Sequence, residues 1–217
     1  MHIEFLVEDQ SGKTMLEQLV PKLIGSGHTY SIHSYKGIGR IPKGLKPSAD
    51  PEKRILLDQL PRLLSGYSKA FAGYGRGYPA AVVVVCDLDD RKLATFLKEL
   101  TAVSEKAAPA LATEFCVAIE EGEAWFLGDP AAVLAAYPKA KKAVLAGYKQ
   151  DSICGTWEVL AEAVYPGGRE ALVAKGYQVV GAEKSQWAER IPLHMTPTAN
   201  KSPSFKKLRA VLNKLAP

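Results

Sequence analysis

The spacing of apolar residues changes along the chain, and each change marks an element. Residues 2 to 7, HIEFLV, alternate and then become continuously apolar, which predicts a strand entering a buried sheet. A polar stretch, EDQSGKT, comes next. Met15, Leu16, Leu19, Val20, Leu23 and Ile24 then recur at helical spacing as far as Gly25, so a helix follows. TYSIHSY (29–35) predicts a second strand. Ile55, Leu56, Leu57, Leu60, Leu63 and Leu64 predict a helix over about 51–66, with Pro61 a candidate break or kink. AAVVVVC (80–86) predicts a strand apolar on both faces, RKLATFLKELTAVSEKA (91–107) a helix, and TEFCVAIE (113–120) a fourth strand.

Strand and helix alternate through the first 130 residues. That order predicts an α/β fold, a mainly parallel sheet flanked by helices with right-handed crossovers. From residue 131 the pattern gives way to Ala-, Tyr-, Gly- and Pro-rich helical pieces of weak periodicity, and no internal repeat is visible. Residues 131–217 are therefore expected to form a smaller, mostly helical part packed on a core made by residues 1–130.

The third strand poses a problem of charge. VVVVCDLDDR runs from a buried-type segment straight into Asp87, Asp89 and Asp90, which repel one another unless water or a cation screens them. In open parallel sheets functional groups gather at the carboxyl ends of strands. A second strand end is also acidic, with Glu8 and Asp9 after the first strand. Asp87 and Asp89 share a face if strand geometry persists, and hard oxygen ligands of this kind suit Mg²⁺ or Mn²⁺. A helix N-terminus is the competing reading, because Asp favours caps and first turns. It accounts for Asp89 or Asp90, not for all three. In EEGEAWFLGD, Glu123 begins a short helix after the fourth strand; it either faces the same acidic site or merely starts the helix, with Trp125 in the core. Asp129, before Pro130, reads as a cap.

Composition narrows the classes. A chain of 217 residues that is 47% hydrophobic can bury a sizeable core. Its three cysteines, Cys86, Cys116 and Cys154, suit neither a disulfide framework nor a zinc cluster, and its four histidines lack paired ligand spacing. No long apolar run or signal sequence is present, so a cytoplasmic protein without a membrane partner is expected. The net charge of +5 is concentrated: residues 36–54 carry six Lys or Arg against two acids, and residues 201–214 carry five and no acid. Such fields favour polyanions. Lys36, Arg40, Lys43 and Lys46 are candidate contacts to a nucleic-acid backbone, in a Gly- and Pro-containing loop expected to be mobile without ligand. Lys13, near the start of the first helix, is a further candidate for phosphate.

The glutamate closing the first strand in FLVED and the D-x-D closing VVVVCDLDD resemble the two signatures of the Toprim domain of primases, topoisomerases and overcoming-lysogenization-defect nucleases. IEEGEAWFLGD (119–129), together with SPSF (202–205), is similar to a Toprim-like family of bacterial proteins with an E-A-W-x-L-x-D motif, some of them associated with phage defence. The Toprim signatures cover residues 1–130, and the second likeness reaches the whole chain. The resemblance implies acid or base work for Glu8 and divalent metal on Asp87 and Asp89, with Glu8 alternatively a ligand to a second metal. Glu123 is the further candidate at that site. Asp9 stands where Gly commonly follows the glutamate, and DLDDRK lacks small residues after D-x-D, so strand passage and primer synthesis are not implied. The expected function is Mg²⁺- or Mn²⁺-dependent phosphodiester processing, most simply by a nuclease. Two alternatives stay open: a non-catalytic module that binds nucleic acid, a protein partner or a second copy, and a small-molecule phosphotransfer enzyme.

Overall fold

The computed structural model describes residues 1–46, 51–75 and 77–217, with Pro51 described in its backbone alone. Four strands form one sheet among them: β1 (His2–Val7), β2 (Thr29–Ser34), β3 (Ala80–Asp87) and β4 (Thr113–Ala118). Their order is β2-β1-β3-β4, and every pairing is parallel. The fold is thus α/β. The first crossover steps from β1 to the left of this order and the later ones step to the right, so right-handed connections put the helices on opposite faces. Helix α1 (Gln10–Leu23) covers one face, α2 (Leu56–Gly73) and α3 (Leu93–Ala107) the other.

Alternation along the strands sorts the core into two layers. Ile3, Phe5, Val7, Val83, Val85 and Cys116 pack toward α1, whereas Leu6, Val82, Val84, Cys86 and Val117 pack toward α2 and α3. β3 is buried on both faces, which is why its valines are continuous.

The remaining chain supplies α4 (Glu123–Leu127), α5 (Pro130–Ala136), α6 (Lys142–Gly147), α7 (Thr156–Val164), α8 (Gly168–Val173), α9 (Tyr177–His194) and α10 (Pro203–Leu215). These helices add Leu160, Leu172, Trp187, Ile191, Phe205 and Leu208 to the hydrophobic cluster on the α1 face. Trp125 of α4 donates its indole N–H to Ser204 Oγ at 2.9 Å, and Asn200 donates to the Trp125 carbonyl at 2.7 Å, so EAWFLGD and SPSF meet in the interior. Lys22 of α1 donates to the carbonyls of Pro192, Leu193 and Met195 at the end of α9, which ties the two helices together.

Several boundaries differ from the periodicity. EDQSGKT is largely helix, because Asp9 caps α1 by accepting from the Gly12 N–H at 2.6 Å and starts it ahead of the apolar stripe. A Cβ at position 12 would meet Val7 Cγ1 at 2.7 Å, so the close approach of α1 to β1 requires glycine there. α2 runs through Pro61 to Gly73, since Leu56, Leu57, Leu60 and Leu64 bury against the sheet on both sides of the proline. Residues 51–53 form a separate 3-10 turn. The first residues of the basic loop are hydrogen-bonded to the start of α2: Leu56 and Leu57 donate to the carbonyls of Gly37 and Ile38, and Arg40 N–H donates to Asp58. Its residues 47–50 lie outside the described residues.

No helix among the described residues is long and apolar enough to cross a membrane.

Candidate acidic site at the carboxyl edge of the sheet

β1 is the point where the strand order reverses, with β2 on one side and β3 on the other. Crevices at such a reversal, outside the carboxyl ends of the strands, are where open α/β sheets take ligands. Val7 lies beside Val85 in the β1–β3 register, so Glu8 emerges next to the end of β3, where Asp87 is the last strand residue. The Asp87 N–H donates to Glu8 Oε2 at 3.1 Å. Glu8, Asp87 and Glu123 line one small cavity of about 40 Å³, with Asp9, Ser11 and Gly12 of the α1 entrance on one side. Gly122 lies against Asp87, its missing Cβ falling 3.9 Å from Oδ1.

The cavity contains a cation that the sequence pattern did not announce. Lys184 of α9 reaches in, with Nζ 3.3 Å from Glu123 and 3.4 Å from Glu121. A signal for it exists in the sequence. Val180, Lys184, Trp187, Ala188 and Ile191 fall on one helical stripe, and Lys184 is the polar interruption of an otherwise apolar face.

Electrostatics follow from this crowding. Burial raises Glu8 to about 7; the charges of Asp89 and Asp9 push the same way, while the Asp87 amide and Arg91 oppose them. Burial also lifts Asp87 well above the usual carboxylate range, reinforced by Glu8 and Glu123 and resisted by Lys184. Glu121 rises to about 7 from burial and from Glu123. For Lys184 burial pulls downward, but Glu123, Glu121 and Asp87 outweigh it and the net direction is up. The ammonium is therefore charged throughout the neutral range.

Asp89 is placed differently from Asp87. It occupies the left-handed region (φ 50°), and its carboxylate takes Arg91 Nη1 at 2.6 Å. It lines a neighbouring recess with Asp90, Glu120 and Glu121 instead of the cavity of Glu8 and Asp87. The aspartates do not cap α3 either: its N-cap is Lys92, which makes no side-chain capping bond. Asp129 caps α5 through Ala132 N–H and also accepts from Thr196 N–H.

Among the basic candidates, Arg40 and Lys43 line a larger cleft on the opposite face, between the loop and α3. Lys36 and Lys46 are exposed outside it. Lys13 pairs with Glu17 along α1 at 3.7 Å. Cys86 and Cys116 are buried thiols, and Cys154 is exposed.

Among the described residues, no group of three or more His, Cys, Asp or Glu side chains is arranged to hold a metal ion. What the cavity offers a hard cation is the carboxylate of Asp87, with that of Glu8 in the same lining. That fits Mg²⁺, which takes one or two carboxylates and completes its shell with water and substrate phosphate, and it falls short of a cage built from protein ligands alone.

Fold and site together define an open parallel α/β protein with an acidic, lysine-containing cavity at its switch point. Comparison with protein families, with characterised proteins and with solved structures finds no match for the chain.

Proposed function

We propose that the protein hydrolyses phosphodiester bonds in nucleic acid with the help of Mg²⁺ or Mn²⁺, in the manner of the Toprim-like nucleases its strand-end motifs resemble. The observation that carries this reading is the meeting of Glu8 and Asp87 in one cavity at the switch point, with Glu8 raised to about 7. A carboxylate of that basicity suits proton abstraction from water at neutral pH. Glu8 accepts the proton of the attacking water, and the Asp87 amide, bonded to Glu8 Oε2, fixes its orientation. Asp87 is the residue that would hold the metal. Bound there, the metal would supply Lewis-acid polarisation of a phosphoryl oxygen. Lys184 offsets part of the charge of Glu121 and Glu123, which weakens the repulsion an anionic substrate meets at the cavity.

A second reading has one observation in its favour. Because Lys184 already balances part of the acidic charge, a non-catalytic module that binds nucleic acid could keep the same cavity as a structural ion-pair network. Incubation of the purified chain with labelled DNA and RNA, with Mn²⁺, Mg²⁺ or a chelator, separates the two. Cleavage is expected with metal; it is expected to disappear with chelator and to fall by at least about 10² in Glu8→Gln and in Asp87→Asn. Binding without cleavage in any metal would leave the second reading.

A further inference from the structure

The cleft on the α2/α3 face, about 900 Å³ in volume, is separate from the acidic cavity and differs from it in chemistry. One wall is the loop 39–45, which presents Arg40 and Lys43; the other is α3 and its approach, which present Lys92 and Lys106. All four are exposed, and among the described residues none is engaged in an ion pair. Two acids, Asp90 and Glu99, share the lining, so the rim stays cationic. Between the walls the surface is apolar. The buried Leu57, Phe96 and Val103 underlie its floor, and the half-buried Ile41 and Leu45 with the exposed Ala102 supply the apolar surface that remains open.

Arg91 joins the cleft to the acidic turn. Its Nη1 holds Asp89 at 2.6 Å, its Nη2 donates to the Gly39 carbonyl at 3.5 Å, and its guanidinium lies 5.1 Å over the Phe96 ring. One side chain thus fastens the loop wall, the floor and the turn that begins at Asp87.

We propose that this cleft binds an unpaired nucleic-acid strand, with bases turned to the apolar floor and phosphates along the Arg40, Lys43, Lys92 and Lys106 rim. The proposal rests on the hydrolase reading for the identity of the polyanion, and adds which form of it is recognised. A duplex keeps its base faces stacked inside and shows a groove wall mainly phosphate and sugar, which would leave the apolar floor empty. A single strand offers both surfaces at once, and proteins that bind single strands combine a cationic groove with apolar or aromatic contacts to base faces. The Lys92 and Lys106 wall extends the nucleic-acid interface beyond the loop, onto a helix whose position the sheet fixes.

The test is fluorescence anisotropy with one labelled oligonucleotide, single-stranded or annealed to its complement, in the presence of chelator so that no turnover intervenes. The single strand is expected to bind at least fivefold more tightly than the duplex. Lys92→Glu with Lys106→Glu is expected to weaken single-strand binding at least tenfold and to flatten the log–log salt dependence by about 1.4, or about 0.7 for each phosphate no longer neutralised. Lys142→Glu with Lys175→Glu makes the same charge change on exposed residues of α6 and of the turn between α8 and α9, outside the cleft lining, and is expected to weaken binding less than twofold. A smaller preference for the single strand, a loss under fivefold from the cleft variant, or an equal loss from the control would each overturn the proposal. Cleavage assayed separately keeps the two readings apart: a binding cleft without any metal-dependent cleavage defeats the hydrolase reading alone, and cleavage that survives an ineffective cleft variant defeats the cleft alone.

Discussion

Glu120 and Glu121 are neighbours beyond the end of β4, yet they stand in opposite chemical circumstances. Glu120 accepts from the backbone N–H groups of Cys154, Gly155 and Thr156 and from the Thr156 hydroxyl, at 2.7 to 3.1 Å. Burial alone would raise it, but these donors hold it below the usual carboxylate range. Glu121 lies beside the acidic cavity with Lys184 for a partner, and burial raises it to about 7. A carboxylate saturated with donors is a structural anchor, here fastening the start of α7 to the sheet. Carboxylates short of donors, such as Glu8, Asp87 and Glu121, hold charge that a proton, a cation or Lys184 has to compensate.

The sharpest way to break that contrast is chemical. Glu8→Gln keeps the size of the side chain and an acceptor for the Asp87 amide but cannot take a proton, so metal-dependent cleavage is expected to fall by about 10² to 10⁴. Wild-type cleavage should rise with pH and then level, because Glu8 must be ionised to act, with a midpoint below the value of about 7 that burial sets in the metal-free protein, since a cation on the adjacent Asp87 favours the ionised form. A pH–rate profile without that limb would remove Glu8 as the base. Stability gives the next largest effect. Glu120→Ala strands several backbone donors at the start of α7 and is expected to cost about 3 kcal/mol, lowering Tm by about 6 to 12 °C. Glu121→Ala, measured in the same melts near pH 7.5, should cost much less; equal losses would show that the two carboxylates are not different in kind.

Much of this fold was legible because the sheet imposes strong patterns. The continuous valines of β3 could only be a doubly buried strand, and the acids that end it and follow β1 fell together because adjacent parallel strands end side by side. Asp89 was harder to place. Its spacing from Asp87 suggests a shared face only while strand geometry lasts, but β3 ends at Asp87 and Asp89 turns into the left-handed region toward Arg91. Nothing in the sequence ties Lys184 to the acids, because it is 97 positions beyond Asp87 and reaches the cavity only through the packing of α9 on α1. Glu120 gave no local signal at all. Its donors come from residues 154–156, and nothing in an EE doublet tells which member is saturated.

Lys184→Met sharpens the comparison from the side of the cation. The substitution keeps the length of the stem and leaves Glu121, Glu123 and Asp87 without their ammonium. Removal of one partner from a buried pair is strongly destabilising, and partial exposure of Lys184 reduces the expected cost to about 2 kcal/mol. The sign with pH follows from the raised carboxylates. Glu121, near 7 in the folded state and 4.5 when unconstrained, binds more protons folded than unfolded in that interval, so its ionisation costs stability as pH rises. Loss of Lys184 enlarges that cost. The deficit of Lys184→Met should therefore be small at pH 5 and reach its full size near pH 8, by denaturant titration at both values. A deficit independent of pH would mean that the stem packs and the charge does little.

The smallest expected effect concerns Asp89 and decides on which side of the comparison it belongs. Asp89→Asn gives up a partly exposed ion pair with Arg91, a contribution of about 0.5 kcal/mol. Asn tolerates the left-handed backbone at least as well as Asp, which offsets part of the loss, so apo stability should change by less than about 0.5 kcal/mol. Asp87→Asn, by contrast, replaces a carboxyl group whose charged form burial and Glu8 disfavour with a neutral one of the same shape, and should leave the apoprotein unchanged or slightly stabilised near neutral pH. The informative quantity is the additional stabilisation by Mn²⁺, since a ligand that binds only the native state raises Tm by mass action. If Asp87 holds the metal and Asp89 serves Arg91, Asp87→Asn abolishes the Mn²⁺ shift and Asp89→Asn keeps more than half of it. Equal loss in the two variants would instead place Asp89 in the ligand set that the D-x-D spacing suggests, with Arg91 released when metal binds.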